Sequence, residues 1–100
     1  MASAPDGSDS GPTGWTFLSN HGHVLVAIKE QPDARLRDLA GRVGISERAV
    51  QLILGDLERA GYVVKERTGR RNNYTVTSGL HLRHPAERDS SVDDLLSIFE

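Results

Sequence analysis

Leu36 to Leu57 reads LRDLAGRVGISERAVQLILGDL, and this stretch decides the fold. Leu36, Leu39 and Ala40 stand at i, i+3 and i+4, Val43 extends that stripe, and Val50, Ile53, Leu54 and Leu57 form a second stripe of the same period. Gly44 separates the two. A glycine there takes the positive φ that ends one helix, and Ser46 follows as the N-cap of the next. Ala40 is small where the two helices must approach. This is the spacing of a helix-turn-helix, in which the second helix lies in the DNA major groove.

Working outward, Asn20 is placed to cap a helix over about His21 to Gln31, with Val24, Leu25 and Ile28 inward and Pro32 closing it. Asp33 to Leu36 is an extended bridge, a short strand at most. After the second helix, Gly61 is a C′ glycine and the period changes. Tyr62, Val63 and Val64 begin a strand, TGRRNN (Thr68 to Asn73) is a turn, and YTVT (Tyr74 to Thr77) returns. The order predicts a mainly α fold with a β-hairpin wing, an α+β winged helix-turn-helix.

The flanks differ from this middle. Residues 1–14, MASAPDGSDSGPTG, have almost nothing to bury and read as a disordered tail, residues 15–80 as the winged helix-turn-helix, and residues 81–100 as a C-terminal extension. In that extension Ser90 or Ser91 caps a short amphipathic helix whose Val92, Leu95, Leu96 and Phe99 repeat at helical spacing. A helix so short must dock on something. It either closes over its own core or, as the favoured reading, packs against its counterpart in a second copy and Trp15, Phe17 or Leu18 to form a two-fold dimer. Such a homodimer sets two recognition helices about 34 Å apart.

One hundred residues at 37% hydrophobic content allow one small domain with a thin core, for which a partner chain is useful. There is no cysteine, which excludes disulfides and thiolate metal sites and fits a reducing cytoplasm. The longest apolar run, Val24 to Ile28, is far below a membrane span, and no signal peptide is evident, so a soluble cytoplasmic protein is expected with no membrane partner. The net charge of −2 hides an asymmetry. Residues 1–34 carry −3, residues 35–74 carry +4, and residues 75–100 carry −3. A basic middle between acidic ends is the footprint of a double-stranded DNA partner.

Burying Val50, Ile53, Leu54 and Leu57 turns Ser46, Glu47, Arg48, Gln51 and Gly55 outward. Arg48 suits guanine, Gln51 adenine, and Glu47 either cytosine or the orientation of Arg48; Ser46 caps the helix and sets its amides near a phosphate. The recognition helix spans residues 46–60 and the wing residues 67–74. In the wing, Arg67, Arg70, Arg71 and Asn72 face a minor groove or the backbone, with Arg35 and Arg37 in support. Exposed arginines also pair with neighbours, here Glu58, Glu66 and Asp38, which for Arg67 is as good an account. Gly55 costs about 0.5–1 kcal/mol inside a helix, so either the space is needed or a weak position is tolerated. No nucleophile, paired carboxylate or phosphate-cradling loop stands in supporting context, so the chain does not read as an enzyme and no cofactor is expected.

At Trp15-Thr16-Phe17-Leu18, Asn20-His21, Leu36-Arg37-Asp38 and Leu82-Arg83-His84-Pro85 the chain resembles winged helix-turn-helix regulators of the MarR and ArsR type, in particular small actinobacterial members. The resemblance covers about Trp15 to Phe99 and implies a dimeric prokaryotic transcription regulator. Leu52 and Asn73 stand where related proteins often carry a basic residue, so it implies an altered target. ArsR-type relatives include zinc sensors with ligands near the C-terminus, and here His81, His84 and Glu87 recur at intervals of three, with Pro85 breaking a continuous face. A metal-responsive sensor is the minor reading, and a winged helix that modulates another transcription component by protein contact is the alternative.

Overall fold

A computed structural model describes residues 14–100. The expected tail lies outside the described residues except for Gly14. Helix α1 (Asn20–Glu30) is followed by α2 (Leu36–Val43) and α3 (Glu47–Arg59). A two-stranded antiparallel hairpin follows, β1 (Val63–Thr68) with β2 (Arg71–Val76), and the chain ends in α4 (Val92–Ser97).

Each helix begins and ends where local chemistry supplies what its ends lack. Ser19, one residue earlier than Asn20, caps α1 by accepting from Gly22 N–H at 3.2 Å. Asn20 is thus the first helical residue, because the serine hydroxyl one position upstream takes the orphan donor. Ser46 caps α3 by accepting from Ala49 N–H at 3.0 Å, and Ser91 caps α4 by accepting from Asp94 N–H at 2.9 Å. Gly44, at φ +87°, stops α2, and Ala40 C=O accepts from both Gly44 and Ile45 N–H. Gly61, at φ +86°, closes α3 with paired bonds, Tyr62 N–H to Leu57 C=O and Gly61 N–H to Glu58 C=O.

Two local expectations are corrected. No strand forms at Asp33 to Leu36; Asp33 sits in a turn, and the extended pairing is reduced to one bond from Tyr74 N–H to Pro32 C=O at 3.1 Å. The wing turn is also tighter than a six-residue loop. Thr68 pairs directly with Arg71, leaving Gly69 (φ +63°) and Arg70 as the connection, and Arg71, Asn72 and Asn73 belong to β2. A glycine with positive φ is what a two-residue hairpin turn requires, and it lets the ladder run to its tip.

The core is contiguous. Val24, Ala27 and Ile28 of α1, Leu39 and Ala40 of α2, and Val50, Ile53 and Leu54 of α3 meet Val63 and Tyr74 of the hairpin. Val92 and Leu96 of α4 join it, each 2% exposed. The extension is held by backbone bonds, Val92 N–H to Leu80 C=O and Leu82 N–H to Ser90 C=O, and by Tyr62 Oη donating to His81 C=O. Those two apolar residues therefore close over their own chain and are not available to a counterpart.

Leu96→Ala should destabilise the fold by about 2–4 kcal/mol, the ordinary cost of emptying a buried leucine site. Phe99→Ala, at a half-exposed position, should cost well under half as much. Urea denaturation of the two variants at one protein concentration checks the difference.

Candidate nucleic-acid interface

With the aliphatic stripe of α3 turned inward, Ser46, Glu47, Arg48 and Gln51 are all exposed on its N-terminal half. Ser46 spends its hydroxyl on the helix cap. On one flank lie Arg35 and Arg37 at the start of α2, and on the other Arg70, Arg71 and Asn72 of the wing. Together with Glu47 these six line one concavity of about 460 Å³ between the α2 N-terminus, the α3 N-terminus and the hairpin. Four of the arginines read from the sequence, Arg35, Arg37, Arg70 and Arg71, thus share one concavity, while Arg48, Gln51 and Arg67 lie outside its lining.

Ion pairs among the described residues take up only part of the surface charge, leaving Lys65, Arg83 and Arg88 unpaired as well as the arginines read from the sequence. Among the described residues, the ion pairs engage His21, Lys29, Arg42, Arg59 and His84, and none engages Arg35, Arg37, Arg48, Arg67, Arg70 or Arg71. The expected partners Glu58, Glu66 and Asp38 do not take them. Arg71 donates to Asp33 C=O at 3.1 Å and Arg67 to Gly69 C=O at 3.3 Å, which orients both guanidinium groups while leaving their charge unneutralised. Asp38 instead accepts from Arg35 N–H at 3.3 Å, at the start of α2. Unpaired guanidinium groups on one face attract a polyanion.

The wing is anchored at its root. Tyr74 is buried beneath it, and burial, followed by the charge of Glu58, pushes its phenol above the usual tyrosine range, with a hydrogen bond from Asn72 acting the other way. It stays neutral and serves as a packing post.

At the other end of α3, Asp56 accepts from His21 Nε2 at 2.8 Å and from Arg59 at 2.6 Å. This clasp ties the start of α1 to the end of α3. The Asp56–Arg59 spacing of three is visible in the sequence, but His21 is brought in only by folding. The hydrogen bond to His21, opposed by desolvation and aided by Arg59, holds the Asp56 carboxyl below its ordinary value. Gly55 has no helix closing on it; a Cβ there would meet only the guanidinium of Arg59, at 3.0 Å.

The residues assigned to dimerisation divide. Leu18 is half-buried on Gly22, where a Cβ would come within 3.1 Å of it. Trp15 and Phe17 stand out in solvent, 78% and 92% exposed, as an edge-to-face pair with centroids 5.0 Å apart. Phe17, Leu18, Leu25, Leu57, Tyr62 and Leu95 border an open groove of about 910 Å³ at the C-terminal end of α3. Ile98 and Phe99 add exposed apolar surface.

For the minor metal reading, the histidine run is diverted to local bonds. His81 Nδ1 meets Arg88 C=O at 2.7 Å, and His84 Nδ1 accepts from Ala86 N–H at 3.0 Å. Among the described residues no three His, Asp or Glu side chains converge on a metal position. No helix among them is long and apolar enough to cross a membrane.

Residues 19–64 match a family model described as winged helix-turn-helix DNA-binding. The chain has a winged helix-turn-helix fold. Among solved structures, MepR, a transcription regulator of the Staphylococcus aureus multidrug efflux pump MepA, aligns over 60% of this chain and 47% of its own at 24% identity with a TM-score of 0.53, a likeness of fold alone. The PcaV transcriptional regulator from Streptomyces coelicolor aligns over 59% of this chain and 46% of its own at 29% identity, TM-score 0.52. A Bacteroides thetaiotaomicron protein known from solution NMR aligns over 65% and 87% at 28% identity, TM-score 0.51. The chain spans about half the length of the first two. No curated protein matches it.

A carboxylate with a depressed pKa stabilises the fold above its unfolded value, and that contribution is lost as the pH falls through the lower folded value. Asp56 should accordingly titrate below an ordinary aspartate, and His21→Ala should move it back up. Carboxyl chemical shifts followed by NMR through the acid range check both.

Proposed function

We propose that the chain is a sequence-specific DNA-binding transcription regulator that acts as a homodimer, with residues 46–60 in the major groove and residues 67–74 at the minor groove or along the backbone. The observation that carries this reading is the row of unpaired arginines, Arg35, Arg37, Arg48, Arg70 and Arg71, along the face of the helix-turn-helix opposite its core. The match of residues 19–64 to a DNA-binding family, and the likeness to PcaV, a transcriptional regulator, support it. So does the resemblance to MarR-type regulators.

Roles follow from reach and chemistry. Arg48 and Gln51 point from the first turns of α3 and present, respectively, the fork that fits guanine and the amide that fits adenine. Arg35, Arg37 and Arg71 hold phosphates and fix register. Arg70, at the turn, meets the minor groove or its phosphate walls, where charge decides affinity. The exposed Trp15–Phe17 pair and the groove beside it form a knob and a hollow on one face, the self-complementary arrangement that a two-fold contact uses. That groove shares no lining residue with the concavity between α2, α3 and the wing, which leaves that concavity of each copy free in a dimer.

Binding of genomic fragments should weaken steeply with salt. Arg48→Ala should cost about 1–3 kcal/mol at a preferred site and relax preference at one base pair, whereas Arg70→Ala should weaken all duplexes alike and lower the salt slope by about 1. Fluorescence anisotropy at several salt concentrations checks this, and failure to bind any duplex at low salt would overturn the proposal in favour of a protein-contact module. Phe17→Glu should shift the chain toward monomer in sedimentation equilibrium while leaving its helical signal intact.

A further inference from the structure

At about 100° per helical residue, the centre of the α3 face opposite the buried stripe is occupied by Arg48, Leu52, Gly55 and Arg59, at i, i+4, i+7 and i+11. Leu52 is 58% exposed in this row and takes no part in the core. A single exposed leucine is ordinary on a protein surface. This one is singled out by its place, one turn beyond Arg48, next to Gln51 in sequence, and followed one turn later by a glycine over which no other helix closes.

We propose that Leu52 is a specificity residue that reads a thymine C5-methyl group in the major groove, which makes a thymine at a fixed offset from the Arg48 contact part of the target. The proposal rests on the DNA-binding reading above. Of the features a base pair shows in the major groove, the thymine methyl is the apolar one. An isobutyl side chain one turn beyond Arg48 supplies a contact that neither the arginine nor the neighbouring glutamine can make, and buries surface that otherwise stays wet. Gly55, one turn further on, lies beneath the guanidinium of Arg59 and supplies no side chain of its own to compete with Leu52. The unpaired arginines on both flanks give the charge complementarity that brings a duplex, rather than an apolar protein surface, to this leucine.

Duplexes are selected from a random library with the full chain at one stated salt concentration, and each thymine of the enriched site is replaced in turn by deoxyuridine. This removes the C5-methyl and leaves the pairing edge unchanged. Wild type should lose about fourfold in affinity at one thymine per recognition helix, the effect of one buried methyl-sized group. Leu52→Ala should lose a comparable factor on the parent site and be indifferent to that same replacement, and Leu52→Met should restore the sensitivity. Wild type indifferent to every uracil, or Leu52→Ala as sensitive as wild type, overturns the proposal and leaves DNA binding standing. A library from which no duplex is enriched overturns both.

Discussion

The whole arrangement depends on how α3 divides its circumference. Val50, Ile53, Leu54 and Leu57 bury one side of the rod against α1, α2 and the root of the hairpin, and in doing so determine which side remains. Fully burying such side chains stabilises the fold by about 1.5–3 kcal/mol each, several times what any surface ion pair in this chain can contribute. No rotation of α3 that hid Arg48 or exposed Val50 would survive that difference. The orientation of the outward row is therefore a consequence of core packing, and the charged residues have no part in setting it.

The flanking elements follow from the same constraint. The turn at Gly44 and Ile45 is short enough that α2 must lie across α3, which brings Arg35 and Arg37 to the same side as the start of the recognition helix. Tyr74, buried at the root of the wing and bonded through its amide to Pro32, sets the hairpin beside that start as well. Two arginine-bearing segments distant in sequence thus reach one concavity beside the start of α3 by packing alone. None of the acidic residues after position 74 lines that concavity, which is why a net charge of −2 is compatible with a basic face.

Much of this was legible in the sequence, and the reasons are local. Gly44, Ser46 and Gly61 announce the ends of α2 and α3, and the two aliphatic stripes announce their inner faces, because each signal spans only a few residues. The boundaries that shifted did so through equally local competition. Ser19 outbid Asn20 for the cap, and Gly69 allowed a turn of two residues where a run of polar ones suggested six. What the sequence concealed was tertiary. His21 reaches Asp56 across 35 positions, Val92 and Leu96 choose their own core over a partner, and Trp15 and Phe17 stay uncovered. None of these is encoded in a periodicity. The arginines were legible as charges, but not as unpaired ones, since that required knowing which carboxylates lie within reach.

The two-residue closure of the hairpin has a kinetic and entropic side. A long, slack wing must be ordered when it meets its target, and each backbone residue fixed at that moment costs about 1–2 kcal/mol. Here the ladder is paired to its last rung, Thr68 with Arg71, so the main chain that carries Arg70 is already arrested before any encounter. Only rotamers remain to be frozen, and in the proposed complex the wing would meet a duplex as a stiff prong rather than as a searching loop.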